Sequence, residues 1–277
     1  MTSAVVHRTW AEVVFHVLAH VAVDVPASAW EPRYVRFAEA RLGPAQRRPL
    51  GEDARALAAL LPDHDGLARA QLLAWLFGDL ERAERVFDRA LDELAPEDVD
   101  EPTVLAHLRR APASVRRGAE LLFCAAALEA SHVRSLGPVV VDGEALALAT
   151  RALALVAPGL RGVSLGVVRA LGWRGRALGG SIWVGAPGAL GGGPSLEHVA
   201  WQAAHEAVVA EVFCAARAPH ADAEHVAIVL LAERARRAGL EVAHARWLSS
   251  LRAPPPDRAS LGPQGASLLA AVERSGT

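Results

Sequence analysis

The sequence predicts a mainly α-helical fold with a small β-hairpin or mixed sheet at about residues 136–186, packed on a central helix over residues 195–217. Three observations carry this expectation. Apolar residues recur at helical spacing through most of the chain, as in Val13, Val14, Val17, Leu18 and Val21. Between residues 136 and 186 the pattern shortens to β-like runs, of which residues 182–185 (IWVG) are the clearest. Residues 195–217, SLEHVAWQAAHEAVVAEVFCAAR, then hold the densest set of reactive side chains: His198, Gln202, His205, Glu206 and Glu211.

The elements follow in order. Residues 10–23 read as a helix ended by Pro26. Ser28 is placed to cap a second helix running to Leu42, with Pro32 in its first turn and Tyr34, Phe37 and Ala38 on one face. Residues 51–61 form a third, closed by Pro62. Helices over 67–77 and 80–94 follow, the second with a charged, solvated face laced by i,i+4 pairs. The acidic stretch 95–101 is a loop; helices then cover 103–109 and 114–134. Residues 138–142 read as a strand ending in an Asp-Gly turn, and 144–156 as a helix. The runs 163–171 and 176–184 read as an antiparallel hairpin around residues 172–175. A glycine-rich loop, 185–194, leads into the central helix. Helices over 222–238 and 241–251 come next, then the Pro254–Pro256 linker and a weak terminal helix over 261–274. The expected organisation is an N-terminal helical region (1–134), the small sheet with the central and later helices (135–253), and a terminal linker and helix (254–277), with one compact unit to 253.

Composition narrows function mainly by exclusion. The chain has 277 residues and 52% hydrophobic content, ample for a buried core. A net charge of −2 does not favour a nucleic-acid partner. All 29 basic residues are Arg; the absence of Lys excludes a P-loop and a Schiff-base lysine, and the absence of Asn excludes N-glycosylation. This composition fits a GC-rich bacterial genome. Cys124 and Cys214 lie outside any CxxC and are expected as buried thiols. No run of 18 apolar residues occurs and the N-terminus lacks a signal-peptide pattern, so no membrane association and a cytoplasmic location are expected.

Histidine spacing supplies the candidate chemistry. Residues four and seven apart share a helix face, which groups Glu12, His16 and His20, and separately His198, Gln202 and His205. Two imidazoles at i,i+4 can ligate one zinc or iron ion when a third ligand arrives. Glu206 beside His205 is placed to activate a metal-bound water. Glu129 with His132 and Glu241 with His244 repeat a Glu-x-x-His spacing used by carboxylate-bridged di-iron bundles, at a frequency chance also yields. His7, His64, His107, His220 and His225 read as ordinary loop or surface residues.

The order strand, loop, then helix bearing His205-Glu206 resembles the zincin metallopeptidases, whose edge strand lines a substrate cleft and whose next helix presents HExxH. The second histidine of that motif is replaced by Val209. The resemblance covers about a tenth of the chain. It implies a metal-dependent hydrolase with His205 as ligand and Glu206 as general base; beside the resemblance, His198, His16 and His20 are the candidate ligands that would complete the site. Glu120, Cys124 and His132 are similar in outline to residues of the alkylhydroperoxidase/carboxymuconolactone decarboxylase group, without its CxxC. The competing expectation is a helical interaction, scaffold or biosynthetic accessory protein that takes a protein partner and has no cofactor.

Overall fold

In a computed structural model the described residues are 9–21, 32–42, 51–60, 66, 69–137, 139, 141–172, 174–178, 180–185, 195–216, 220–251 and 257–275. Among them are eleven α-helices and one three-stranded sheet, a mainly α fold. No described helix is long and apolar enough to cross a membrane. The chain packs as two compact units, one built from His7–Val139 and Val168–Gly172, the other containing Val140–Val167 and Trp173–Thr277.

The first unit holds α1 (Thr9–Ala19), α2 (Pro32–Arg41), α3 (Gly51–Leu60), α4 (Leu80–Glu84), α5 (Pro102–Arg110) and α6 (Ala113–Ser135). The apolar spacing of α1 buries Trp10, Val13, Val14, Phe15, Val17 and Leu18 together. Trp10 anchors this core: its ring meets Phe77 edge-on at 5.3 Å and Phe123 at 5.9 Å, and its Nε1–H donates to the Leu73 carbonyl at 2.8 Å. α1 and α3 both pack on α6.

Two expectations fail in this unit. The helix expected over 80–94 stops at Glu84, after starting on Asp79, whose side chain accepts from Arg82 N. Beyond it Arg82 and Arg89 do not form a solvated ladder. Arg82 donates to the carbonyls of Glu97 and Val99, and Arg89 pairs with Asp98 at 2.8 Å. Bonds to the 95–100 loop replace the i,i+4 pairs that would have lengthened the helix. The expected helix over 67–77 contains a 3₁₀ segment, Gln71–Trp75.

The second unit is organised around α8 (Leu196–Ala216). α7 (Gly143–Leu153), α9 (His220–Arg237), α10 (Glu241–Ser250), α11 (Pro263–Ser275) and strands β2 (Gly175–Leu178) and β3 (Ser181–Gly185) all pack on it. The reason is in its sequence: apolar residues, many of them Ala, lie on every side, so it has no face suited to water. The sheet order is β1 (Ser164–Val168), β3, β2. β2 pairs antiparallel with β3 from Gly175↔Val184 to Leu178↔Ser181. Leu178 pairs with Ser181, so the hairpin reverses between these two residues and not around residues 172–175 as expected. The expected strand at 138–142 is also absent from its described residues; Asp142 instead caps α7, accepting from Ala145 N at 3.0 Å. Glycine is required where the sheet meets its neighbours. A Cβ on Gly166 would fall on the Trp183 ring, and one on Gly175 would overlap the Glu206 side chain.

The expected core of this unit holds for Trp201, Val208, Val212 and Leu231. Ile228 is half-buried. Phe213 is 49% exposed, against expectation, and Cys214 and Ala215 next to it near the end of α8 are exposed too. Cys124 and Cys214 are exposed, not buried. The glycine-rich loop after Gly185, the Ser28 cap, the Pro254–Pro256 linker, His7 and His64 lie outside the described residues.

Candidate functional site

Among the described residues, each unit contains a buried polar cluster. In the second unit it runs along α8, where His198, Gln202, His205 and Glu206 are all buried. Glu206 crosses the backbone of β2 at Gly175 and accepts from Gln202 Nε2 at 3.0 Å. Burial raises its pKa to about 7, although the Arg176 guanidinium acts to lower it. His198 is pushed down to about 4 by burial and meets Ser250 Oγ at 3.5 Å. His205 lies 5.8 Å from the Trp247 ring. His244, from α10, meets Trp201 edge-on at 5.1 Å and is also pushed to about 4 by burial. Its Nε2 makes no hydrogen bond among the described residues. Val209, at the position of the second zincin histidine, is buried and apolar. Glu211 is held by Arg234 in two bonds of 2.5 and 2.8 Å. Indole rings thus pack against His205 and His244, and burial favours neutral imidazoles at His198 and His244.

The cluster of the first unit contains His16 and His20, and it is a series of titratable groups joined by hydrogen bonds and one ion-pair contact. Tyr34, from α2, is wholly buried, and its hydroxyl lies 2.8 Å from His16 Nδ1. His16 Nε2 faces Glu129 Oε2 at 3.6 Å, from α6. The same carboxylate oxygen is 2.9 Å from His132 Nδ1, one turn along. His20 bonds the His16 carbonyl at 2.8 Å, and the two imidazoles lie 4.5 Å apart.

Beside this sequence, Glu12 Oε2 accepts from the Arg169 backbone N–H at 2.9 Å. The Arg169 guanidinium, also buried, bonds the Gly137 carbonyl and lies beside the Phe37 ring.

The charges of this cluster are set by burial and by partners. Burial raises Tyr34 well above its ordinary value, so the phenol keeps its proton and donates to His16 Nδ1. Burial lowers His16, only partly opposed by Glu129, so its imidazole is neutral. Burial acts to raise Glu129, yet its bonds to His16 and His132 outweigh this and hold it below the ordinary carboxylate value. Burial raises Glu12 to about 7 against the attraction of Arg169. The result is a neutral phenol, a neutral imidazole and an ionised carboxylate in series. That is the order in which a hydroxyl, a base and an orienting anion act in nucleophilic and acid–base sites.

His16 and His20 therefore belong to a different unit from His198, His205 and Glu206. Among the described residues no group of three or more His, Cys, Asp or Glu is arranged to hold a metal ion. Glu12, His16 and His20 are legible in the sequence as one helix face, and Glu129 and His132 by their spacing; Tyr34 and Arg169 join them only in the fold. The Glu129-x-x-His132 spacing was the available signal; nothing local marks Arg169, which is 157 residues from Glu12.

No family model matches the chain, and no curated protein or solved structure matches it.

Proposed function

We infer that the protein is an enzyme of general acid–base type whose centre is Tyr34, His16 and Glu129 in the first unit. The observation that carries this is the series Tyr34 Oη, His16 Nδ1 at 2.8 Å, then His16 Nε2 to Glu129 Oε2 at 3.6 Å. In it His16 accepts the phenolic proton as base. Glu129 stabilises the imidazolium that forms, and His132, which is half-buried, links that carboxylate toward solvent. Tyr34 is the group that gives a proton to, or takes one from, a bound small molecule. This reading departs from a zincin-like hydrolase centred on Glu206, because the ligand histidine of that motif is Val209 and the histidines near it pack against indoles.

The test compares the full chain with His16→Gln, which keeps the side-chain bulk and removes the base. Each is incubated with a complex small-molecule extract, and the mixture is profiled by mass spectrometry. At least one compound is expected to be converted by the wild type and about 10²–10⁴-fold more slowly by the variant, the range for loss of a general base. Identical profiles for the two, with the variant folded, would sink the acid–base reading. The non-catalytic helical scaffold would then be the better account.

A further inference from the structure

Arg169 lies outside the series Tyr34, His16, Glu129, yet it touches the elements that carry all three. Its segment, Val168–Gly172, is the stretch beyond Val139 that belongs to the first unit. Val168, Arg169, Ala170 and Leu171 are all buried there. Arg169–Leu171 form one 3₁₀ turn that packs on both α1 and α2, closed by Gly172 at φ 57°, where L side chains are rare. On the α1 side, the Arg169 backbone N–H donates to Glu12 Oε2 at 2.9 Å, and its Nε lies 3.9 Å from Glu12 Oε1. On the α2 side, the guanidinium carbon lies 5.9 Å from the centre of the Phe37 ring, within cation–π reach. Its Nη2 donates to the carbonyl of Gly137, just past the end of α6.

Two of these contacts fall one helical turn from the reacting pair. Glu12 precedes His16 by four residues on α1, and Phe37 follows Tyr34 by three on α2. The Tyr34 and Phe37 rings lie 6.5 Å apart. α2 has ten residues, and isolated helices shorter than about 12–15 are marginal in water. Tertiary contacts therefore decide where its phenol sits. The hydrogen bond from Tyr34 to His16 is 2.8 Å long, and a shift of α2 by about 1 Å would carry the pair beyond hydrogen-bond length. A planar guanidinium can meet a carboxylate, a carbonyl and a ring face together, which suits it to tie three segments at one point. We propose that Arg169 is the positioning residue of this site: through Glu12 and Phe37 it holds α1 and α2 so that the Tyr34 phenol stays on the His16 imidazole. This rests on the acid–base reading and adds to it the residue that keeps donor and base together.

The test uses the fact that the chain has one tyrosine, so the Raman doublet of the tyrosine ring reports on Tyr34 alone. The intensity ratio of that doublet depends on whether the phenol donates or accepts a hydrogen bond, and a loss of packing elsewhere leaves it in place. The full chain is compared with His16→Leu, which removes the acceptor, and with Arg169→Met and Phe37→Leu, which remove the guanidinium and the ring beside it. The wild type is expected to give the ratio of a donating phenol. Arg169→Met and Phe37→Leu are each expected to move it at least halfway to the His16→Leu value. Either variant, folded by circular dichroism and keeping the wild-type ratio, overturns the proposal; should Arg169→Met not fold, Phe37→Leu decides. An unmoved ratio in a chain that converts a compound in the extract removes only the role of Arg169. A moved ratio in a chain that converts nothing removes only the acid–base role. A wild type whose phenol does not donate loses both.

Discussion

At the scale of single residues, the Glu206 side chain fits tightly against Gly175. The carboxyl occupies the space that any larger residue at 175 would need. Gly175→Ala is therefore expected to destabilise the second unit by on the order of 1–3 kcal/mol, as overpacking does. A denaturant titration that shows no change would mean Glu206 can turn away without loss. Glu206 itself is held at a pKa of about 7 by burial. A raised carboxyl pKa means the folded state keeps a proton that the unfolded chain releases. The stability linked to it is present below about pH 4.5 and is lost as pH rises to about 7. Glu206→Gln removes that loss and keeps an acceptor for Gln202. It is expected to raise stability by about 3 kcal/mol at pH 8 and by little at pH 4. Equal effects at both values would show that Glu206 ionises normally.

At the scale of elements, α8 shows how a helix can be central without an amphipathic stripe. Neighbours pack along most of its length, but residues 213–215 near its end are exposed. Trp201 is buried and Phe213 half exposed. Trp201→Ala is expected to cost about 3–5 kcal/mol, from lost transfer energy and the cavity left. Phe213→Ala should cost less than about 1 kcal/mol, as substitutions of exposed side chains do. Urea titrations of the two variants check this; a loss of several kcal/mol at Phe213 would show that its face is covered in solution.

At the scale of the whole molecule, the buried histidines and carboxyls pull stability in opposite directions with pH. His198 and His244 have pKa values lowered to about 4, so the folded state refuses protons that the unfolded chain accepts. The stability linked to them is present above about pH 6.5 and is lost as pH falls toward 4. Glu206, in the same unit, opposes this over most of the same interval. With two histidines against one carboxyl, stability of that unit should climb modestly between pH 4 and 6.5 and more steeply in Glu206→Gln. Thermal unfolding across that range measures both slopes. Parallel slopes in the two proteins would refute the opposition.

The sequence by itself determined the class of fold and most helices, because helix formation follows an apolar period and local caps that neighbouring residues supply. It placed the β content within residues 136–186 and marked His16, His20, His198, His205 and Glu206 as polar residues on apolar faces. It misplaced the hairpin, since several glycine pairs could turn the chain and only the pairing of Leu178 with Ser181 selects one. It also extended the helix after Asp79, where long-range bonds from Arg82 and Arg89 to the 95–100 loop compete with helical pairing. The grouping of Tyr34, His16, Glu129 and Arg169 belongs to the tertiary structure alone. Those residues come from four separate segments, and a hydrogen bond between segments leaves no period in the sequence to be read.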